Sequence, residues 1–158
     1  MKYEVFTLEK SWRDARAYCR NMGGDLATFS SYGDQTKAMS GISGSDREYW
    51  IGLTDLETEG KWKWCDGSTS SWRRWRIYSL LENLVYDDEP DGGRLQNCAS
   101  ILWPKARWYS DPCDKLMRFV CNVPGTNNYI LTLFEPIAPH FQNLLLQQIT
   151  TLLLNVVL

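Results

Sequence analysis

The stretch from Tyr49 to Ser68, YWIGLTDLETEGKWKWCDGS, constrains this chain more than any other. It opens as a short apolar run, Tyr49-Trp50-Ile51-Gly52-Leu53. A polar turn, Thr54 to Gly60, separates it from a second run, Trp62-Lys63-Trp64-Cys65, which Asp66-Gly67 stops. Two strand-like runs around a loop containing Gly predict a hairpin-like unit. With a period of 2, Trp62 and Trp64 share one face, and Lys61, Lys63 and Cys65 share the other. Trp50, Trp62 and Trp64 together carry too much apolar surface to leave in water. The pattern therefore places this unit at the centre of the core.

A chain of 158 residues favours one domain with a tail. The formal charge of −2 gives no global field for nucleic acid or anionic membranes. Of 8 tryptophans, most are expected in the core. There are 5 cysteines: Cys19, Cys65, Cys98, Cys113 and Cys121. No pair has CxxC spacing and the single histidine is His140, which argues against a zinc site. Four cysteines make two bridges and leave one over, which fits an oxidising, extracellular setting. Met1-Lys2-Tyr3-Glu4 leads into no long apolar run, so the chain reads as a fragment lacking its signal peptide.

Residues 2–8 alternate weakly and predict an edge strand. Ser11 is placed as an N-cap answered by Asp14, with Trp12, Ala15, Cys19 and Met22 on one helical side and Gly23-Gly24 as the stop. Asp25 to Phe29 is an extended link. Ser31 and Asp34 start a second helix with Ala38, Met39 and Ile42 on its apolar side, ended by Gly41 to Ser45. From Asp66 to Gln96 periodicity is lost, as in functional loops. That region holds a basic, aromatic run, Trp72 to Arg76, which suits an anionic glycan or phosphate but reads first as a solvated loop. It also holds an acidic run, Asp87 to Asp91, whose carboxylates suit calcium. Tyr78 to Val85 is assigned a helical turn. Three short strands follow, 98–103, 106–109 and 117–121, and Pro124 to Asn128 reads as a domain end.

This order of features resembles the C-type lectin-like domain. The matching residues are Ser11-Trp12, Asp14-Ala15 and Cys19; Gly24-Asp25-Leu26-Ala27; Trp50-Ile51-Gly52-Leu53; Trp62-Lys63-Trp64 with Asp66-Gly67; Glu89-Pro90; Cys98; Trp108; Cys113; and Phe119-Val120-Cys121. The resemblance spans Tyr3 to Pro124 and implies an α+β fold. Two helices would flank small antiparallel sheets, with a long irregular loop region and two disulfides, Cys19–Cys121 and Cys98–Cys113. Residues 1–124 would form the domain, and residues 125–158 a Leu-rich tail outside it. In the chain-entropy model the longer bridge is worth ~4–5 kcal/mol and the shorter ~3 kcal/mol.

The resemblance also implies calcium-dependent sugar binding, and residue by residue the chain complies only in part. Glu89 matches the acid before the family proline, and Asp91 stands where sugar binders have Asn or Asp. Gln96 replaces an acid, while Tyr109 and Ser110 replace an Asn-Asp pair after Trp108. Asp111 lies one residue late and reaches the site only if the backbone bulges. Ligand-binding candidates are thus Glu89, Asp91, Gln96, Tyr109 and Ser110. Metal candidates are Glu89, Asp91 and Asp111, with Asp55 and Glu59 at the family's auxiliary calcium site. Calcium affinity follows the number of charged ligands, so calcium dependence is expected to be weakened or lost. The expected partner is a glycan, with a protein ligand as the alternative.

Cys65, opposite the tryptophan face, is expected to meet solvent or a partner, either as a free thiol or in a disulfide-linked dimer. In the tail, Phe141, Leu145, Ile149, Leu152 and Val156 form one stripe, so it is expected to self-associate or touch a membrane. An enzyme is disfavoured. His140 lies alone in the tail, and Asp87, Asp88, Glu89 and Asp91 are loop neighbours with nothing to set their pKa values apart.

Overall fold

The computed structural model describes residues 2–44, 46–77 and 88–125. The helical turn expected at Tyr78 to Val85 lies outside them, as do the tail expectations and His140. Strand β1 spans Lys2–Lys10. Helix α1, Trp12–Asn21, starts where the Ser11 side chain accepts the Asp14 N–H, and it buries Trp12, Ala15 and Cys19. The Ser11 hydroxyl in turn donates to the Asp14 carboxylate at 2.6 Å. Strand β2 is Asp25–Leu26. Helix α2, Tyr32–Met39, is capped by Ser31 in the same way and buries Gln35, Ala38 and Met39. It ends at Met39, before the Gly41 stop that its sequence suggests.

The strands of the signature stretch are β3, Arg47–Thr54, and β4, Lys63–Trp64. Strands β5, β6 and β7 are Cys98–Trp103, Arg107–Asp111 and Met117–Val123. They do not form separate small sheets. All join one 7-stranded sheet in the order β1-β7-β3-β5-β6, with β2 on β7 and β4 on β3. Most pairs are antiparallel, but β3 and β7 run parallel, with Trp50 opposite Phe119. Met1–Pro124 forms one compact unit.

The sheet is covered on both faces, so β3 is buried continuously from Tyr49 to Leu53. Tyr49, Ile51 and Leu53 join a core with Phe29, Trp64, Trp108 and Val120. Trp50 joins the opposite core with Trp12, Leu26, Phe119 and the Cys19–Cys121 bridge. The period of 2 thus sorts residues between two cores rather than between core and solvent. Buried indoles need acceptors for their N–H groups. Trp12 Nε1 donates to Ile51 O at 2.8 Å, Trp50 Nε1 to Lys10 O at 2.9 Å and Trp64 Nε1 to Ser70 O at 3.0 Å.

The two disulfides join Cys19 to Cys121 and Cys98 to Cys113, across sequence separations of 102 and 15. Cys65 corrects the expectation of an outward thiol. Lys61 and Lys63 on the face opposite Trp64 are exposed, but the half-buried Cys65 packs against the core that holds Trp12 and Leu26. The Cys65 thiol lies 3.1 Å from Asp25 Oδ1, and Asp25 is held by Arg16 through Nε at 3.1 Å and Nη2 at 3.2 Å. Burial, with the adjacent Asp25 carboxylate, pushes the Cys65 thiol well above its ordinary range. A protonated, enclosed thiol is a poor nucleophile.

Two measurements check this packing. A Cβ at Gly52 would stand 2.7 Å from Leu26 O and 3.0 Å from Cys65 Sγ. Gly52→Ala is therefore expected to lower stability by about 1–3 kcal/mol in urea unfolding. Cys65 is expected to resist maleimide at pH 8 until the chain is unfolded, and to give no dimer band on non-reducing gels; rapid native labelling would contradict the enclosed thiol.

Candidate ligand-binding loop

The candidate site forms where the long loop returns to the edge of the sheet. Strand β6 is the last strand in the sheet order. Part of its free edge is taken by the segment before the described residues break off. Trp108 N donates to Arg74 O at 2.9 Å, and Arg76 N donates to Trp108 O at 2.9 Å. Trp75 bridges Trp108 in parallel. The basic, aromatic run is therefore docked rather than solvated, and Trp72 and Trp75 pack edge-on against the Trp108 ring at 5.1 and 5.9 Å. On the other side of the break, Glu89 N donates to Arg76 O at 3.0 Å, which brings the Glu89-Pro90-Asp91 turn to the same edge.

Trp108 is the anchor for this arrangement. Its Nε1 donates to Gln35 Oε1 at 2.7 Å, and Gln35 Nε2 donates to Ala106 O at 3.1 Å. Gln35 is fully buried on α2, so one amide satisfies both the indole and the turn before β6. Sequence reasoning passed over Gln35. A polar residue one turn before Ala38 and Met39 on the apolar side was the available signal.

Ser110 is the centre of the site. Its backbone N–H and its hydroxyl both lie 2.8 Å from Glu89 Oε2. The hydroxyl is also 3.0 Å from Gln96 Oε1 and accepts the Asp91 N–H at 3.3 Å. Its single proton serves one acceptor at a time. The Gln96 side chain lies across Gly92, where a Cβ would stand 2.1 Å from its amide carbon. Burial raises the Glu89 pKa above the ordinary carboxylate range, and the two Ser110 donors only partly offset that. Tyr109 stands beside Arg76, whose Nη1 donates to the phenol oxygen at 3.0 Å. Glu89, Asp91, Gln96 and Ser110 are thus brought together, with Tyr109 next to them on β6.

Asp111 is not part of the group. The β5–β6 register runs unbroken from Leu102 opposite Arg107 to Cys98 opposite Asp111, so no bulge turns Asp111 inward. Its side chain is buried on the other face of β6 from Ser110. There it accepts from the Ser100 hydroxyl at 2.7 Å and from Lys115 Nζ at 2.8 Å. Lys115 also holds Glu48 at 2.8 Å.

The donor set does not fit calcium at the principal position. A hard cation needs six to eight oxygens, several of them charged. Here Ser110 and Gln96 are neutral, Asp111 faces away, and one Glu89 oxygen is already satisfied by Ser110. Among the described residues no group of three or more His, Cys, Asp or Glu side chains is arranged to hold a metal ion. The auxiliary position keeps Asp55 and Glu59 but does not bring a third acid to them among the described residues. Asp55 Oδ2 accepts the Gly60 N–H at 2.8 Å, Glu59 is exposed, and the neighbouring residue is the neutral Asn97. Asp55 Oδ1 and Asn97 Oδ1 are both buried without a hydrogen-bond partner.

Comparison with known proteins agrees with the architecture. The family model described as "Lectin C-type domain" matches residues 8–123. The chain is 29% identical over 125 residues to human "C-type mannose receptor 2", covering 78% of this chain and only 8% of that protein. It is 32% identical over 123 residues to chicken "Hepatic lectin", covering 75% of this chain and 53% of that protein. The solved "cow C-type carbohydrate-recognition domain of CD23 in the presence of GlcNAc2Man3 oligosaccharide" superposes with a TM-score of 0.63 at 27% identity, covering 77% of this chain and 87% of that one. The C-type lectin-like fold, its two disulfides and the match along residues 8–123 lead to one conclusion: the chain belongs to the C-type lectin domain family.

Proposed function

We propose that this chain is an extracellular recognition module that binds carbohydrate without calcium at the principal position. One observation carries the reading: the Ser110 hydroxyl sits among Glu89, Asp91 and Gln96, where the family pattern calls for an ion-binding carboxylate. The group is self-satisfied yet leaves polar atoms for a ligand. Glu89 Oε1 and Gln96 Nε2 have no hydrogen-bond partner among the described residues, which gives one acceptor and one donor for a pair of sugar hydroxyls. Two disulfides support an oxidising, extracellular location. Membership of the C-type lectin domain family supports reading the chain as a binding module and not an enzyme.

A calcium-independent protein ligand is the second reading. Two exposed apolar side chains adjoin the site in sequence, Ile77 at 71% and Leu95 at 82% exposure. Such side chains suit a protein surface better than a sugar.

A glycan array run with calcium and with chelator is expected to give the same hits in both. Glu89→Ala and Asp91→Ala are expected to weaken those hits at least tenfold. Hits that vanish in chelator would overturn the calcium-independent reading, and an empty array with a captured protein ligand would favour the second. A gain-of-function test follows from the same geometry. The triple change Gln96→Glu, Tyr109→Asn and Ser110→Asp is expected to create calcium binding measurable by calorimetry, where the unaltered chain gives no heat from the principal position.

A further inference from the structure

A second cleft, of about 410 Å³, opens beside β4, and Trp62, Lys63, Thr69, Ser71 and Arg73 are among the residues that line it. Its volume falls in the range of small-ligand sites. Its chemistry differs from that of the Glu89 loop. The Arg73 guanidinium is half-buried, lies over the Trp64 ring 5.4 Å from its centroid, and hydrogen-bonds to backbone carbonyls: Nη1 to Ser70 O at 2.9 Å and Trp72 O at 2.8 Å, and Nη2 to Trp62 O at 3.0 Å. A guanidinium has five N–H donors, so one on Nε and one on Nη2 remain. No carboxylate among the described residues pairs with Arg73, and its partial burial disfavours the charge and lowers its pKa. A partly desolvated cation held in place without a counterion is suited to an anion.

The surroundings narrow the anion to one carried on a sugar. The Thr69 and Ser71 hydroxyls are exposed and make no hydrogen bond within the described residues. The Trp62 indole is fixed edge-on against Trp75, with ring centroids 4.8 Å apart, and forms an aromatic wall. Lys63 adds a second cation, tied only to the exposed Glu57 at 3.0 Å. An exposed pair of this kind is weak, so the ammonium exchanges partners readily. The nearest acid in sequence, Asp66, accepts the Ser68 N–H at 2.9 Å through one oxygen and makes no ion pair with Arg73.

We propose that this cleft is a second, calcium-independent site that binds an acidic saccharide, with its carboxylate or sulfate on Arg73, its hydroxyls on Thr69 and Ser71, and its ring against Trp62. This site does not depend on the Glu89 loop. The test is calorimetry of the full chain in chelator, with a heparin hexasaccharide, a hyaluronan hexasaccharide and neutral mannotriose. Binding of either acidic probe is expected, with mannotriose at least tenfold weaker at this site. The sulfated and carboxylated probes separate the two kinds of anion. Thr69→Asp with Ser71→Asp places two negative charges in the cleft at exposed positions and is expected to weaken acidic binding at least tenfold. Near-ultraviolet circular dichroism checks that this variant keeps its fold. Trp62→Ala is expected to weaken binding, and Glu89→Ala to leave it unchanged. Absence of binding by both acidic probes overturns the proposal, and so does acidic binding that survives Thr69→Asp with Ser71→Asp. Loss of acidic binding in Glu89→Ala also overturns it, by placing the ligand on the other loop.

Discussion

Everything in this domain depends on enclosing β3 completely. Its side chains feed two cores, and its neighbours β5 and β7 flank it in the sheet. A backbone so enclosed must have each polar group satisfied. Where the β3–β5 register shifts after Trp50, other elements supply the partners. Ile51 O accepts from the Trp12 indole, Gly52 N donates to Ala27 O at 2.9 Å, and Gly52 O accepts from Cys65 N at 2.7 Å. Helix α1, the link after β2 and strand β4 are therefore all joined to the middle of one strand. Gly52 has no side chain because three other groups occupy that space.

The core around Trp108 extends this order outward to the loop. Gln35 on α2 binds the Trp108 indole and the Ala106 carbonyl together, and Arg74 Nε donates to the same carbonyl at 2.8 Å. The segment around Arg74 and Arg76 is thereby laid along β6. That places Arg76 on Tyr109 and carries Glu89 to Ser110. The loop has little regular structure, but its position follows from buried hydrogen bonds made by the core. Functional loops on rigid scaffolds are built this way.

At the loop itself, the chemistry has moved from charge to hydrogen bonding. Where the family pattern gathers acids around an ion, this chain places a hydroxyl among an acid, an amide and a backbone N–H. Glu89 and Asp91 stay acidic there, with Arg76 beside Tyr109 and Arg74 on the docked segment as the nearby cations. The domain has the C-type lectin fold, with the Ser110 hydroxyl among Glu89, Asp91 and Gln96 at the edge of its sheet.

Much of the scaffold is readable from local patterns. The Ser11 and Ser31 caps, the apolar run at β3 and the three late strands need only helical and strand periodicity with turn chemistry. The disulfide pairs follow from the resemblance carried by those same residues. The depleted calcium set at Gln96, Tyr109 and Ser110 is likewise a matter of which atoms the side chains possess. Tertiary structure decided three other matters. Cys65 is half-buried against the core beside Asp25, and strand alternation alone does not say which residues of the second face meet water. Asp111 is lost to the site because β6 runs straight, so neighbouring side chains point opposite ways and Lys115 takes the acid. Gln35 holds the loop because two elements distant in the chain meet at Trp108. The order of residues sets which groups can donate, accept or carry charge. Only the fold decided which of them meet, since that depends on long-range packing that no local period encodes.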